Sequence, residues 1–226
     1  MIEYKIASTD SVIVYFSDSI SKENSRVVQH NYKLLKKLKE KGIIDLTPSY
    51  TTILIHYDLD YFNYKSIIKF LKQNLTLDVD EAKEEGDIVE IPIYYDIEVG
   101  FDLSRISKLS GLSIDEVIAL HVETVYDVYT IGFLPGFAYL GEVNEKMATP
   151  RLETPRANIP KGSLGIADNQ SAIYPMQSPG GWNIIGRTYL DMFDKNKEGF
   201  SYLNVGDRVK FKSISRNEFI KNGGVI

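Results

Sequence analysis

The sequence predicts an α+β protein in two parts: a small α/β unit over residues 1–87 and a β-rich unit over residues 88–226. Three observations predict this division. The first part alternates strand-like runs with two stretches of helical period. Glu81–Asp87 (EAKEEGD) is charged, contains glycine and has no apolar period, which marks a boundary. Beyond His121, short strand-like runs are separated by glycine and proline, the texture of a barrel or sandwich.

Taken in order, Tyr4–Ala7 and Val12–Phe16 read as strands around a Ser-Thr-Asp turn. Ser21 is a helix N-cap candidate. Val28, Tyr32, Leu35 and Leu38 then recur at helical spacing, with Gly42 expected just past the helix end. Strands follow at Ile43–Thr47 and Thr51–Tyr57, then a helix over about Tyr61–Asn74 with Ile67, Ile68 and Leu71 on one face. Strand, helix, strand, strand, helix predicts a ferredoxin-like split βαβ. In the second part, Ile88–Tyr95 reads as a strand. Phe101–Leu120 reads as one or two helices, broken at Gly111 and capped again at Ser113. Val122–Ile131, Tyr189–Phe193 and Arg208–Ile214 read as strands.

Bulk properties exclude several chemistries. The 226 residues contain no cysteine, hence no disulfide, no thiolate nucleophile and no cysteine-based zinc site. That usage fits a reducing, cytoplasmic setting. No window approaches the roughly 20 apolar residues of a membrane helix, and the first residues do not read as a signal peptide. A net charge of −5 argues against nucleic acid and anionic membrane as partners. The lysine run Lys33, Lys36, Lys37, Lys39 and Lys41 reads as a solvated helix face. There is no P-loop and no dinucleotide-binding glycine motif. His30, His56 and His121 are scattered, so no metal site is expected.

Chemistry is concentrated between Gly132 and Thr188, which hold six of the eight prolines and eight of the sixteen glycines. Proline stiffens and extends this backbone, and glycine allows close approach. Rigid loops of this kind place binding groups. Three patches stand out. The first is Gly132–Leu140 (GFLPGFAYL), in which core is the expected fate of Phe133 and Phe137. The second joins proline to a cation three times, at Arg151, Arg156 and Lys161. If turns bring these cations together, they form an anion clamp. The third runs from Gln170 through Tyr174 to Arg187. Ser178–Gly181 are candidates for an anion-binding nest of backbone N–H groups, and Trp182 reads equally as pocket wall or packing residue. His121, followed by Glu123, directly precedes this region.

These patches resemble the family of the B-type subunit of 5-oxoprolinase, also described as allophanate hydrolase subunit 1 and as KipI-type kinase inhibitors. The resemblance rests on GFLPGFAYL, Ala148–Arg151 (ATPR), Thr154–Arg156 (TPR), Pro160–Ala167 (PKGSLGIA), Gln170–Pro175 (QSAIYP) and Ser178–Thr188 (SPGGWNIIGRT), with Leu112–His121 (LSIDEVIALH) before them. The sequence departs from the family pattern at Ala138, where proline is common, at Asp168-Asn169, where glycine is frequent, and at Ser171-Ala172, where Thr-Gly is expected. The resemblance implies a cyclophilin-like β-barrel for the second unit. It also implies a homologous partner, the C-type subunit, with which a composite site forms. A third subunit would complete an ATP-dependent enzyme opening 5-oxoproline to glutamate, with Mg²⁺ accompanying ATP. On that reading, Arg151, Arg156, Lys161, Gln170, Ser178, Gly180, Gly181, Trp182 and Arg187 bind substrate or ATP. His121, Glu123 and Tyr174 are the acid–base candidates. Two alternatives follow from the same family: an inhibitor of sensor histidine kinase autophosphorylation, and an amidase component of the allophanate or urea pathway.

Overall fold

In the early strands every second side chain is buried: Val12 and Val14 on one strand, Ile53 and Ile55 on another. That alternation gives a sheet with one covered face. The computed structural model describes residues 1–78, 88–197 and 199–226. Glu81–Asp87, where the sequence places a boundary, lies outside the described residues. The chain divides into two units, Met1–Glu85 and Gly86–Ile226.

The first unit contains β1 (Glu3–Ser8), β2 (Ser11–Tyr15), α1 (Lys22–Leu38), β3 (Ile43–Pro48), β4 (Thr52–Tyr57) and α2 (Tyr64–Asn74). Its sheet runs β1-β2-β4-β3 with every neighbour antiparallel. β2 and β3, joined by α1, therefore run the same way with β4 between them. Val28 and Leu35 of α1 and Ile67 and Leu71 of α2 pack on the face made by Val12, Val14, Ile53 and Ile55. Ser21 caps α1 by accepting from the Asn24 N–H. The helix ends earlier than Gly42 implies, with Lys39 taking the left-handed conformation at φ 47°. Gly42 serves the turn into β3 instead. It sits at φ 97°, and a Cβ there would lie 2.4 Å from the Cβ of Tyr61.

The second unit opens with β5 (Ile88–Ile93), α3 (Leu103–Ser110) and α4 (Ile114–Glu123). Gly111 ends α3 at φ 73°, and Ser113 starts α4 in a capping box with Glu116. Next come β6 (Val125–Ile131), β7 (Ala138–Gly141), a 3₁₀ turn at Glu145–Met147, β8 (Arg156–Ile159), β9 (Ser163–Ala167) and β10 (Gln170–Ile173). The unit ends with β11 (Ser178–Gly180), β12 (Asn183–Arg187), β13 (Arg208–Ser213) and α5 (Arg216–Lys221), a short helix not expected from the sequence. Seven strands form one sheet in the order β12-β9-β10-β7-β6-β13-β5, and β8 pairs with β11 apart from it. The sheet is antiparallel except for β13 and β5. It curls until its edges meet: Tyr94, just after β5, exchanges two 2.9 Å backbone hydrogen bonds with Arg187 of β12. Ile91, Tyr126, Leu140, Ile166, Ile185 and Phe211 fill the core, with Leu103, Ile106 and Val117 packed among them from α3 and α4. The result is a mixed α/β unit built on a curled β half-barrel.

Tyr189–Phe193 is not a strand. The Leu190 N–H turns back onto the Thr188 hydroxyl at 3.1 Å, and only Phe193 makes an isolated bridge, to Ser201.

Candidate functional site

The three Gly/Pro-rich patches meet in one cavity of 380 Å³. Patch one supplies Phe133, Phe137 and Tyr139. Patch two supplies Arg151 and Pro155. Patch three supplies Tyr174, Pro179, Gly180, Gly181 and Trp182. Aromatic edges meet aromatic faces at its base: Phe137 stands at 88° to Tyr174 and 82° to Trp182. Phe137, Tyr174 and Trp182 also share a packed cluster with Ile159 and Ile184, so the wall is anchored to β8 and β12. Phe133 does not go to the core as expected. It is 65% exposed at φ 69° and meets Phe137 edge-on at 5.4 Å.

Arg151 is the cation of this cavity. It reaches its place because the loop carrying it is tied to the start of β12. The Leu152 N–H donates to the Gly181 carbonyl at 2.7 Å, and the buried Asn183 amide donates to the Pro150 carbonyl at 3.1 Å. The guanidinium lies 5.9 Å from the Trp182 ring and 3.9 Å from Asp168, and it is well exposed. Asp168 takes φ 53° in the tight turn between β9 and β10. An aspartate tolerates that conformation better than most residues, which accounts for its standing where glycine is frequent.

The other two cations of patch two do not converge with it. Arg156 makes a bidentate pair with Asp102, at 2.8 and 2.9 Å, and Asp102 also accepts from the Ile184 N–H at 2.7 Å. Arg156 therefore fastens β8 to the start of α3. Lys161 pairs with Asp191 and lines a different cavity, together with Arg187. The turns do not bring the three cations together into a clamp, and one arginine stands at an aromatic pocket instead.

The nest expected at Ser178–Gly181 is also absent. Pro179 has no N–H, so consecutive donors are interrupted, and Ser178–Gly180 is extended strand paired with β8. Glycine matters there for closeness instead. A Cβ on Gly180 would lie 2.2 Å from the Tyr174 hydroxyl oxygen. That hydroxyl accepts from the Trp182 backbone N–H. Burial pushes the phenol up to about 12, against the weaker pull of the Trp182 N–H, so Tyr174 is a neutral hydroxyl at neutral pH.

His121 lies elsewhere, fully buried in the core at the end of α4. The Tyr95 hydroxyl is 2.8 Å from its Nδ1, and its Nε2 is 3.1 Å from Ser171 Oγ, which lies 3.3 Å from the Gly165 carbonyl. One order satisfies every group: Tyr95 donates to Nδ1, Nε2–H donates to Ser171, and Ser171 donates to Gly165. Phe211 stacks on the ring at 4.7 Å. Burial holds its pKa down at about 3, which outweighs the helix dipole's preference for a cation at this end. The acid–base role expected from the sequence therefore gives way to a neutral core histidine. Glu123 is exposed at the end of α4, and Gln170 begins β10, paired to β7 and β9. Neither lines the aromatic pocket. Asp102 and Asn183, the residues that set the positions of the arginines, were not singled out in the sequence, because their partners are remote in the chain. Among the described residues no group of three or more His, Asp or Glu is placed to hold a metal ion.

Residues 2–203 match the family described as carboxyltransferase domain, subdomain C and D. The chain is 34% identical over 220 residues to the B-type subunit of 5-oxoprolinase from Bacillus subtilis, covering 92% of this chain and 91% of that protein. It belongs to this 5-oxoprolinase family. Another member, from Haemophilus influenzae, is 38% identical over 172 residues, which are 76% of this chain and 80% of that one. Among solved structures, TTHA0988 superposes with a TM-score of 0.80 at 31% identity, over 95% of this chain but only 40% of that longer one. The urea carboxylase of Kluyveromyces lactis shares the fold, with a TM-score of 0.76 at 16% identity over 97% of this chain and 22% of that chain. Among the described residues no helix is long and apolar enough to cross a membrane.

Proposed function

We propose that this chain is one component of an ATP-dependent 5-oxoprolinase, which opens 5-oxo-L-proline to L-glutamate in the cytoplasm. The observation that carries this function is the aromatic pocket with Arg151 on its rim. A five-membered lactam bearing a carboxylate needs flat apolar walls for the ring and a cation for the carboxylate. Trp182, Phe137 and Tyr139 offer the walls, and Arg151 offers the cation. The neutral Tyr174 hydroxyl, already accepting from Trp182, has its own proton to donate to an oxygen of the substrate.

The chemistry needs more than this pocket supplies. The lactam carbonyl is unreactive until its oxygen takes the γ-phosphoryl group of ATP. Water then adds at that carbon, the ring C–N bond breaks to leave a free amine and an acyl phosphate, and a second water hydrolyses the acyl phosphate to glutamate and phosphate. Phosphoryl transfer calls for several cations, and the water for a base. The residues lining the pocket include one arginine and no carboxylate or imidazole. That composition supports a composite site completed by the homologous C-type subunit and a third subunit. Among the described residues of this chain no group of three or more His, Asp or Glu is placed to hold the Mg²⁺ that accompanies ATP, and no step is assigned to it.

On the same proposal the half-barrel is cyclophilin-like and the first unit ferredoxin-like, with a boundary near residue 87. The parallel pair β2 and β3 split by β4 supports the ferredoxin-like part.

The test is glutamate release from 5-oxoproline with and without ATP, in a complex reconstituted from this chain, the C-type subunit and the third subunit. Wild-type chain is expected to be active only in the complex, and Trp182→Ala to raise KM for 5-oxoproline. Full turnover by the isolated chain, or an unchanged KM, would overturn the composite pocket. Inhibition of sensor kinase autophosphorylation by the isolated chain, with no activity in the complex, would favour the kinase-inhibitor alternative.

A further inference from the structure

Arg187 is a buried cation without a counter-ion among the described residues. It is only 5% exposed, and no described carboxylate pairs with it. One Nη donates to the Val225 carbonyl at 2.9 Å, and Nε is buried without a partner. Burial draws its pKa below the usual guanidinium value, although an arginine remains charged at neutral pH. Such a charge is costly unless an anion meets it.

A second orphan stands beside it. Ser163 Oγ is also buried without a partner, and Ser163 is the direct cross-strand neighbour of Arg187. Directly opposed residues in an antiparallel pair project from the same face. A buried charged donor with no carboxylate opposite it among the described residues marks a site whose ligand is an oxyanion. Arg187 opens onto a cavity of 310 Å³ lined also by Lys161, Thr188, Leu190 and Asp191, with residues 223–225 along one side. Lys161 is neutralised there by Asp191, which leaves one uncompensated positive charge among the lining residues. This cavity shares no lining residue with the aromatic pocket. Trp182 immediately precedes β12 and Arg187 ends it, about 16 Å apart along extended chain.

We propose that Arg187 forms a binding site for a small carboxylate, whose place on the guanidinium is held in this structure by the Val225 carbonyl. The outer edge of a guanidinium, Nη1–H with Nη2–H, matches the two oxygens of a carboxylate. A single net positive charge matches a monovalent anion better than phosphate. The Val225 carbonyl satisfies Nη1 alone of that edge, so a carboxylate gains a bond by displacing it. Residues 223–225 are a removable occupant: Val225 is exposed, and the segment is held by Gly223 N–H donating to the Ile220 carbonyl at 3.0 Å and Gly224 N–H donating to the Phe219 carbonyl at 2.9 Å. Carboxylate binding here does not depend on the reaction proposed for the aromatic pocket.

The experiment follows the Arg187 Nε–Hε resonance by NMR while sodium acetate is added, with inorganic phosphate as a parallel titration. A saturable shift with acetate is expected. Deleting residues 223–226 is expected to tighten acetate binding several-fold. Arg187→Lys is expected to weaken it about tenfold, a loss of about 1.4 kcal/mol. Asp191→Asn, at an exposed position, frees Lys161 and is expected to tighten binding, which keeps the test open if Arg187→Lys does not fold. No saturable acetate shift in the full or shortened chain would overturn the proposal. So would a response to phosphate alone, or weaker binding after the deletion.

Discussion

The tripeptide Thr-Pro-Arg occurs twice, at 149–151 and 154–156, and the two arginines have opposite surroundings. Arg151 stands exposed at the rim of the aromatic pocket, over Trp182 and loosely beside Asp168. Arg156 is fastened by two short hydrogen bonds to a carboxylate that is itself nearly buried. Identical local sequence therefore yields one exposed cation at the pocket rim and one structural strut. The same contrast separates rim from frame across the unit. Arg151 and Phe133 face solvent, whereas Asp102, Asn183 and His121 hold the strands on which the rim is built. A charge that retains its solvation is available to a ligand. A charge committed to a buried partner is not.

Breaking the frame is expected to have the largest effect. Arg156→Ala strands the Asp102 carboxylate in a nearly dry site and is expected to cost about 3 kcal/mol. Urea denaturation measures this directly, and a loss under about 1 kcal/mol would make Arg156 a rim residue like Arg151. Acid should find the frame next. The folded His121 resists protonation down to about 3, whereas in the unfolded chain it takes a proton near 6.5. Below that pH the unfolded state binds more protons, so stability falls as the pH drops, by up to about 1.4 kcal/mol per unit. A His121→Gln variant should show a flatter acid limb. If the two limbs coincide, the imidazole is not held neutral.

Gly180 sits between frame and rim. Its replacement by alanine would push a methyl group to 2.2 Å from the Tyr174 hydroxyl oxygen and 2.8 Å from Ile159 Cδ1. Overpacking of this kind is expected to cost about 1–3 kcal/mol, read as a lower Tm. The smallest change in stability belongs to the rim. Arg151→Ala is expected to stay within about 0.5 kcal/mol of wild type, while KM for 5-oxoproline in the complete complex rises. Arg151→Lys should recover only part of that binding, because lysine lacks the planar fork. A stability loss as large as that of Arg156→Ala would erase the distinction between the two repeats.

Much of the fold is written locally. Ser21 and Ser113 accept the N–H groups of their helices, Gly111 ends α3 in the left-handed conformation, and helical spacing marks the buried faces of α1 and α2. Each of these signals acts within a turn or two of chain. The Gly/Pro-rich patches likewise marked the pocket's lining, since Phe137, Arg151, Tyr174 and Trp182 all fall within them. Proline also carries a local limit: Pro179 forbids the nest that the glycines beside it suggest.

The sequence by itself determined the first four helices and the caps Ser21 and Ser113, the strands outside residues 132–188, and the chemical character of the pocket. Those follow from periodicity, capping groups and stiff backbone, which operate between near neighbours. Only the tertiary structure decided which arginine is available, why His121 is neutral and where the half-barrel's edges meet. Arg156 finds Asp102 across 54 residues, Ile184 finds it across 82, and His121 finds Ser171 across 50. No local period encodes such pairings. They arise when the sheet curls and burial makes each charge or ring nitrogen take whatever partner the fold brings within reach.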